Sequence, residues 1–207
     1  MTGQKSVNSG RVFFGALGFA AIITQLVIGI EQQHSIANFF SFFTIESNIL
    51  AAVLLMVIGV YGLAGKSGKQ IGYLRGAITL YMVMTGIIYA LLLSGLEASL
   101  QTTTPWVNIV LHYIMPAVVL IDWLVFPPTQ RLSFRVSLLW LIYPLAYLAY
   151  SLVRGAFVQW YPYPFINPIV NGWPNVIGAS LAIGLGVVVL AWLLALRTAG
   201  KQKPNDA

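Results

Sequence analysis

Three ionisable side chains lie inside long apolar runs of this sequence: Glu46, His112 and Asp122. Burying such groups in a membrane is costly, so each calls for a partner or a task. Thr44, Ser47 and Asn48 surround Glu46, and Asn108 precedes His112 by four residues. At about 100° per residue, Thr44, Ser47 and Asn48 share one helix face, and Asn108 and His112 share another. A threonine hydroxyl is a weak nucleophile, but an imidazole beside it can take its proton and later return it to a leaving alcohol. Asn48, Asn108 and Tyr89 are candidate donors to an oxyanion, and Ser47 and Glu46 complete the pocket candidates. Taken singly, each residue reads as helix–helix glue worth about 1 kcal/mol. Their convergence is what favours chemistry.

The remaining ionisable groups read differently. Glu46 points about 160–200° away from Thr44 and Asn48, so it is expected to be protonated or bonded to a neighbouring helix. Neither carboxylate is placed to complete a triad with the imidazole. Asp122 is expected to form a structural ion pair with Arg131 or Arg135. His34 falls in a connection and is expected to be solvated. The two histidines lie on different segments and there is no cysteine, so no metal site and no cofactor are called for.

The elements that must position these residues are membrane spans. The chain is 58% hydrophobic and 8% charged over 207 residues, more apolar surface than a soluble domain of that size can hide. Six apolar segments stand at roughly 12–30, 39–63, 73–96, 106–126, 134–153 and 174–197, each on the order of 20 residues and long enough to span. The expected fold is one all-α domain, a six-helix transmembrane bundle. The first segment reads as a retained helix because no small-residue cleavage site follows it. Residues 154–173 (RGAFVQWYPYPFINPIVNGW) form a Pro- and aromatic-rich connection. Proline this dense is expected to prevent a helix. Its plainer reading is an interfacial anchor, and its sharper one a stiff cap over a cavity.

Charge orients the bundle. Lys5 and Arg11; Lys66, Lys69 and Arg75; Arg131 and Arg135; and Arg197, Lys201 and Lys203 all fall on one side, leaving only Arg154 of the eleven basic residues on the other. That side is expected to be cytoplasmic, with both termini, and the net charge of +6 marks topology rather than nucleic-acid binding. Thr44 and His112 then lie about five and six residues below the outer ends of their helices, roughly 8 and 9 Å deep. Thr24 and Gln25, the stripe Tyr81, Thr85, Tyr89 and the stripe Tyr143, Tyr147, Tyr150 bring polar groups to the same half. The inner halves (VFFGALGF, LAAVLLMVIGV, LAIGLGVVVLAWLLAL) are apolar. A pocket in the outer half is expected, closed below by an apolar plug.

FFTIESNIL, NIVLHYIMPAVVLIDWLVFPP and WYPYPFINP together resemble bacterial relatives of the androgen-induced-gene family of membrane hydrolases, along essentially the whole chain. The Pro-rich loop goes with the bacterial branch. The resemblance implies hydrolysis of fatty acid esters of hydroxy fatty acids within the membrane, with Thr44 matching the nucleophile and His112 its partner. A bacterial cytoplasmic membrane is the expected location, with membrane lipids and a lipid-soluble ester as partners and the oligomeric state open. The alternative is a binding or transport protein for a small amphipathic ligand using the same pocket. A transporter needs a polar path on both sides of the midplane, and here the inner halves offer only Asp122.

Overall fold

The computed structural model describes residues 2–66, 71–102 and 104–198, so Lys69, Lys201 and Lys203 lie outside the described residues. Among the described residues, 81% are helical and none is in a strand. Six helices are long and apolar enough to cross a membrane, as expected: α1 (Thr2–Glu31), α2 (Phe43–Leu63), α3 (Gly72–Leu93), α4 (Pro105–Val125), α5 (Phe134–Val158) and α6 (Pro168–Leu196). Helices pair most of their backbone groups within themselves, which suits crossing hydrocarbon. Their connections alternate between two ends of the bundle, called here the termini end and the loop end.

Several boundaries differ from the sequence expectation for physical reasons. The polar residues 2–11 are helical, because hydropathy marks how much of a helix contacts lipid and not where its hydrogen bonds begin. Residues 154–158 continue α5, and α6 starts at Pro168, so the Pro-rich connection that the sequence placed over 154–173 shortens to 159–167. Pro168 sits in the first turn, where no N–H partner is lost, and the Asn167 side chain caps the N–H groups of Ile169 and Val170. The expected break survives as a kink at Gly172, whose φ of 71° and ψ of 155° suit glycine alone. The second segment is expected from residue 39, but residues 36–39 form a separate helical turn, and α2 proper begins at Phe43. Thr44 is therefore in the first turn of its helix, not five residues down it.

α1 packs most extensively along α2. A Cβ at Gly15 would lie 2.9 Å from the Ala52 carbonyl, and one at Gly59 would lie 2.8 Å from the Asn8 carbonyl. Small residues here let the two backbones approach closely, the usual basis of packing in lipid. The most apolar windows of α2 and α3 are 56% and 67% buried, whereas those of α5 and α6 are 17% and 22% buried. So α2 and α3 are central, and α5 and α6 lean on the α3 side. An apolar groove remains between α3, α5 and α6.

Candidate functional site

The site begins with a helix N-terminus that lacks the usual cap. Phe42 occupies the N-cap position of α2 and offers no side-chain acceptor. The exposed N–H groups of the first turn must find partners elsewhere. Phe43 N–H donates to the Tyr147 hydroxyl at 3.2 Å, and Thr44 N–H donates to the Tyr163 hydroxyl at 3.2 Å. Tyr163 comes from the Pro-rich loop and is only 6% exposed, so the loop is folded down onto the start of α2. Its ring packs edge-on to Phe42, and Trp160 does the same. Gly155 makes room for this return, since a Cβ there would lie 2.1 Å from the Tyr161 ring. The Tyr163 hydroxyl is also 3.4 Å from Thr44 Oγ1. Burial pushes that phenol above its ordinary pKa, so it stays a hydrogen-bond donor.

Two π-helical turns place the imidazole. Val110–Ile114 carries His112 and Tyr89–Leu93 carries Tyr89, and the two rings stack with centroids 3.9 Å apart. Such turns widen a helix and are often found at functional positions. In the π pattern, Met115 N–H donates to the Val110 carbonyl. The next donor would be residue 116, which is a proline and has none. The Leu111 carbonyl it leaves behind accepts from Asn48 Nδ2 at 3.1 Å. Asn48 Nδ2 gives its second hydrogen to the Thr44 carbonyl at 2.8 Å. The amide thus tethers α2 to α4 and has no hydrogen left for an oxyanion.

The other expected donors are similarly engaged. Ser47 Oγ bonds Thr85 at 3.0 Å on α3. Asn108 Nδ2 donates to the Tyr89 hydroxyl at 2.5 Å, which donates to Glu97 at 2.7 Å. Glu97 lies outside the spans, and this hydrogen bond holds its carboxyl below the usual range, aided by Gly95 N–H. Glu46 accepts from Tyr143 on α5, in line with a bond to a neighbouring helix. His34 is half-buried rather than solvated, and its Nδ1 has no partner among the described residues.

Thr44 and His112 do meet, across a gap. No direct hydrogen bond joins them; both face a small cavity whose other polar walls are Gln25, Gln101, Thr102 and Tyr163. Its volume for water centres is about 20 Å³, and one water needs roughly 10–15 Å³. His112 Nδ1 lies 3.1 Å from the Asn108 carbonyl. A carbonyl only accepts, so Nδ1 carries the proton and Nε2 keeps its lone pair. Gln25 Oε1 and Thr102 Oγ1 are buried without partners among the described residues. Gln25 Nε2 is held by the carbonyl of Gln101, whose φ of 58° is unusual for a non-glycine residue. On its other side, Thr44 lines the apolar groove, about 110 Å³ for water centres, with Met84, Ile88, Leu148, Ile183 and Val187. Among the described residues, Thr44 and Tyr163 alone border both spaces.

The sequence pointed to Thr44, His112 and the level of Gln25. It missed Tyr163, Gln101 and Thr102, which sit in connections where no helical spacing exists to align them. The three Tyr stripe members on α5 do not face the His112 cavity: Tyr143 bonds Glu46, Tyr147 bonds the Ser41 carbonyl and Tyr150 bonds Ser41 Oγ.

At the termini end, Asp122 forms an ion pair, but not with either expected arginine. Arg11 Nε lies 2.7 Å from Oδ1 and Arg75 Nη2 lies 2.8 Å from Oδ2. Both come from helices packed beside α4, whereas Arg131 and Arg135 lie beyond the Pro127-Pro128 turn that carries the chain away. No group of three or more metal-ligating side chains occurs among the described residues. Comparison with protein-family models, with curated proteins and with solved structures finds no match to this chain.

Proposed function

We propose that the protein is an intramembrane hydrolase of a lipid ester, with Thr44 as nucleophile and His112 as general base. The observation that carries this reading is the position of Thr44 between an apolar groove suited to an acyl chain and a polar cavity that holds His112. The site lies at the loop end, which the distribution of basic residues assigns to the outer face of a cytoplasmic membrane. There a lipid's ester carbonyl sits near the headgroup boundary, level with Thr44.

The acyl chain lies in the groove and its carbonyl meets Thr44 Oγ1. His112 Nε2 takes the hydroxyl proton, through the single water that the cavity accommodates, as oxygen attacks the carbonyl. The Tyr163 phenol, which accepts from Thr44 N–H, is free to donate its own proton to the oxyanion. The N-terminus of α2 adds its positive end. The Asn108 carbonyl takes the orienting role that a carboxylate plays in other triads. Collapse expels the alcohol, which leaves with the proton from His112 and yields an acyl-Thr44 ester. A water held by Gln25 Oε1 and Thr102 Oγ1 then gives a proton to His112 and attacks that ester. The bond to Thr44 breaks, the fatty acid departs and Thr44 recovers its proton.

The test is turnover of a fatty acid ester of a hydroxy fatty acid by purified protein. Thr44→Ala and His112→Ala should each lower the rate by about a thousandfold or more with the fold intact. Wild-type rates in both variants would refute the mechanism.

A further inference from the structure

A cavity of about 820 Å³ for water centres lies at the opposite end from Thr44. It opens among α1, α2, α3 and the end of α4, at the level where helices leave the hydrocarbon. Arg11, Arg75 and Lys66 line it, with Gln4, Asn8 and Thr129 among its neutral polar neighbours and no acidic residue among the described walls. Asp122 lies behind the two arginines and not on the wall.

Charge there does not cancel. Two guanidinium groups, whose side chains are 9% and 12% exposed, share one carboxylate. Both are held in place: Arg11 by Asn8 and the Phe126 ring, Arg75 by the Phe126 carbonyl and the Trp123 ring. Arg11 Nη2 and Arg75 Nε and Nη1 have no hydrogen-bond partner among the described residues. Unused donors on fixed planar groups suit a tetrahedral oxyanion. A space this large exceeds what a halide fills. Basic pockets between helices at a membrane surface are where lipid phosphates bind.

We infer that this cavity binds a phosphate-class anion, with Arg11 and Arg75 as its floor and Lys66 at its rim. The phosphate belongs either to an anionic phospholipid at the membrane surface or to a free ion. The site is independent of the ester chemistry at the other end.

The experiment is native mass spectrometry and thermal unfolding of the full chain with phosphatidylglycerol, phosphatidylcholine or inorganic phosphate. Removing either arginine would strand Asp122, so two other variants are used. Lys66→Gln should weaken phosphatidylglycerol retention about fivefold, and Asp122→Asn, which removes the negative charge the two arginines share, should strengthen it about fivefold. A preference of about tenfold for phosphatidylglycerol over phosphatidylcholine, moving that way in both variants, identifies a lipid site. A rise in Tm with inorganic phosphate alone, with the same dependence on the variants, identifies a soluble anion. Equal retention of the two lipids with no phosphate effect would overturn the inference. So would a phosphatidylglycerol preference that neither variant changes.

Discussion

The two ends of this bundle both bury polar side chains, yet they leave different things over. At the termini end every carboxylate oxygen of Asp122 is matched to an arginine, and what remains is positive charge. At the loop end the cavity around His112 has no charged residue among its described walls, and what remains is hydrogen-bonding capacity: Gln25 Oε1 and Thr102 Oγ1 are buried without partners among the described residues. A buried polar atom without a partner costs about 1–3 kcal/mol, so keeping two beside one imidazole points to a task for them.

That contrast can be broken by separating rate from stability. The largest effect is expected at the cavity. Thr102→Val and Gln25→Leu should slow ester turnover by roughly tenfold to a hundredfold, with acyl-enzyme accumulating in a pre-steady-state burst. Thr102→Val should leave Tm unchanged or raised, because it removes an unpaired hydroxyl at constant shape. A fall in Tm with normal turnover would make these residues structural.

Asp122→Ala should do the reverse. It strands two arginines, and thermal unfolding in detergent should show a loss of about 3 kcal/mol while turnover per folded molecule is unchanged. Asn48 lies between the two behaviours, since it is at the loop end but both hydrogens of its amide are engaged. Asn48→Ala bares the Leu111 carbonyl that Pro116 cannot serve, and should cost about 1–3 kcal/mol. If Asn48→Ala instead abolished activity without destabilising the protein, its amide would belong to the chemistry.

The smallest effect concerns Glu97. Its carboxyl is held below the usual range by the Tyr89 hydroxyl, so its contribution is complete above the ordinary carboxylate pKa. That contribution is lost as pH falls through the depressed value. Tm should therefore fall more steeply with acid in the wild type than in Glu97→Gln. Parallel curves would remove Glu97 from the Tyr89–His112 support.

Much of this was legible in the sequence because hydropathy and charge act over whole segments. Six runs of apolar residues gave six spanning helices. Helical spacing put Thr44 near the His112 level, although Thr44 sits in the first turn of α2 and not inside it. Spacing could not reach further. Tyr163 acts from a loop, Asp122 pairs with residues 111 and 47 positions away, and the π turns at Tyr89 and His112 follow a pattern that a fixed 100° rotation does not describe. Polar segments were also hard to read: residues 2–11 and 168–171 are helical despite the polar or proline content that argued otherwise, and the expected break falls only at Gly172.

The central claim is that Thr44 carries the acyl group between the groove and the cavity. Its most direct test is the intact mass of the Thr102→Val protein quenched during turnover of a long-chain ester, followed by peptide mapping. The account predicts one acyl group per chain, located on Thr44 and absent from Thr44→Ala. Continued turnover with no adduct on Thr44, or an adduct that persists in Thr44→Ala, would contradict it.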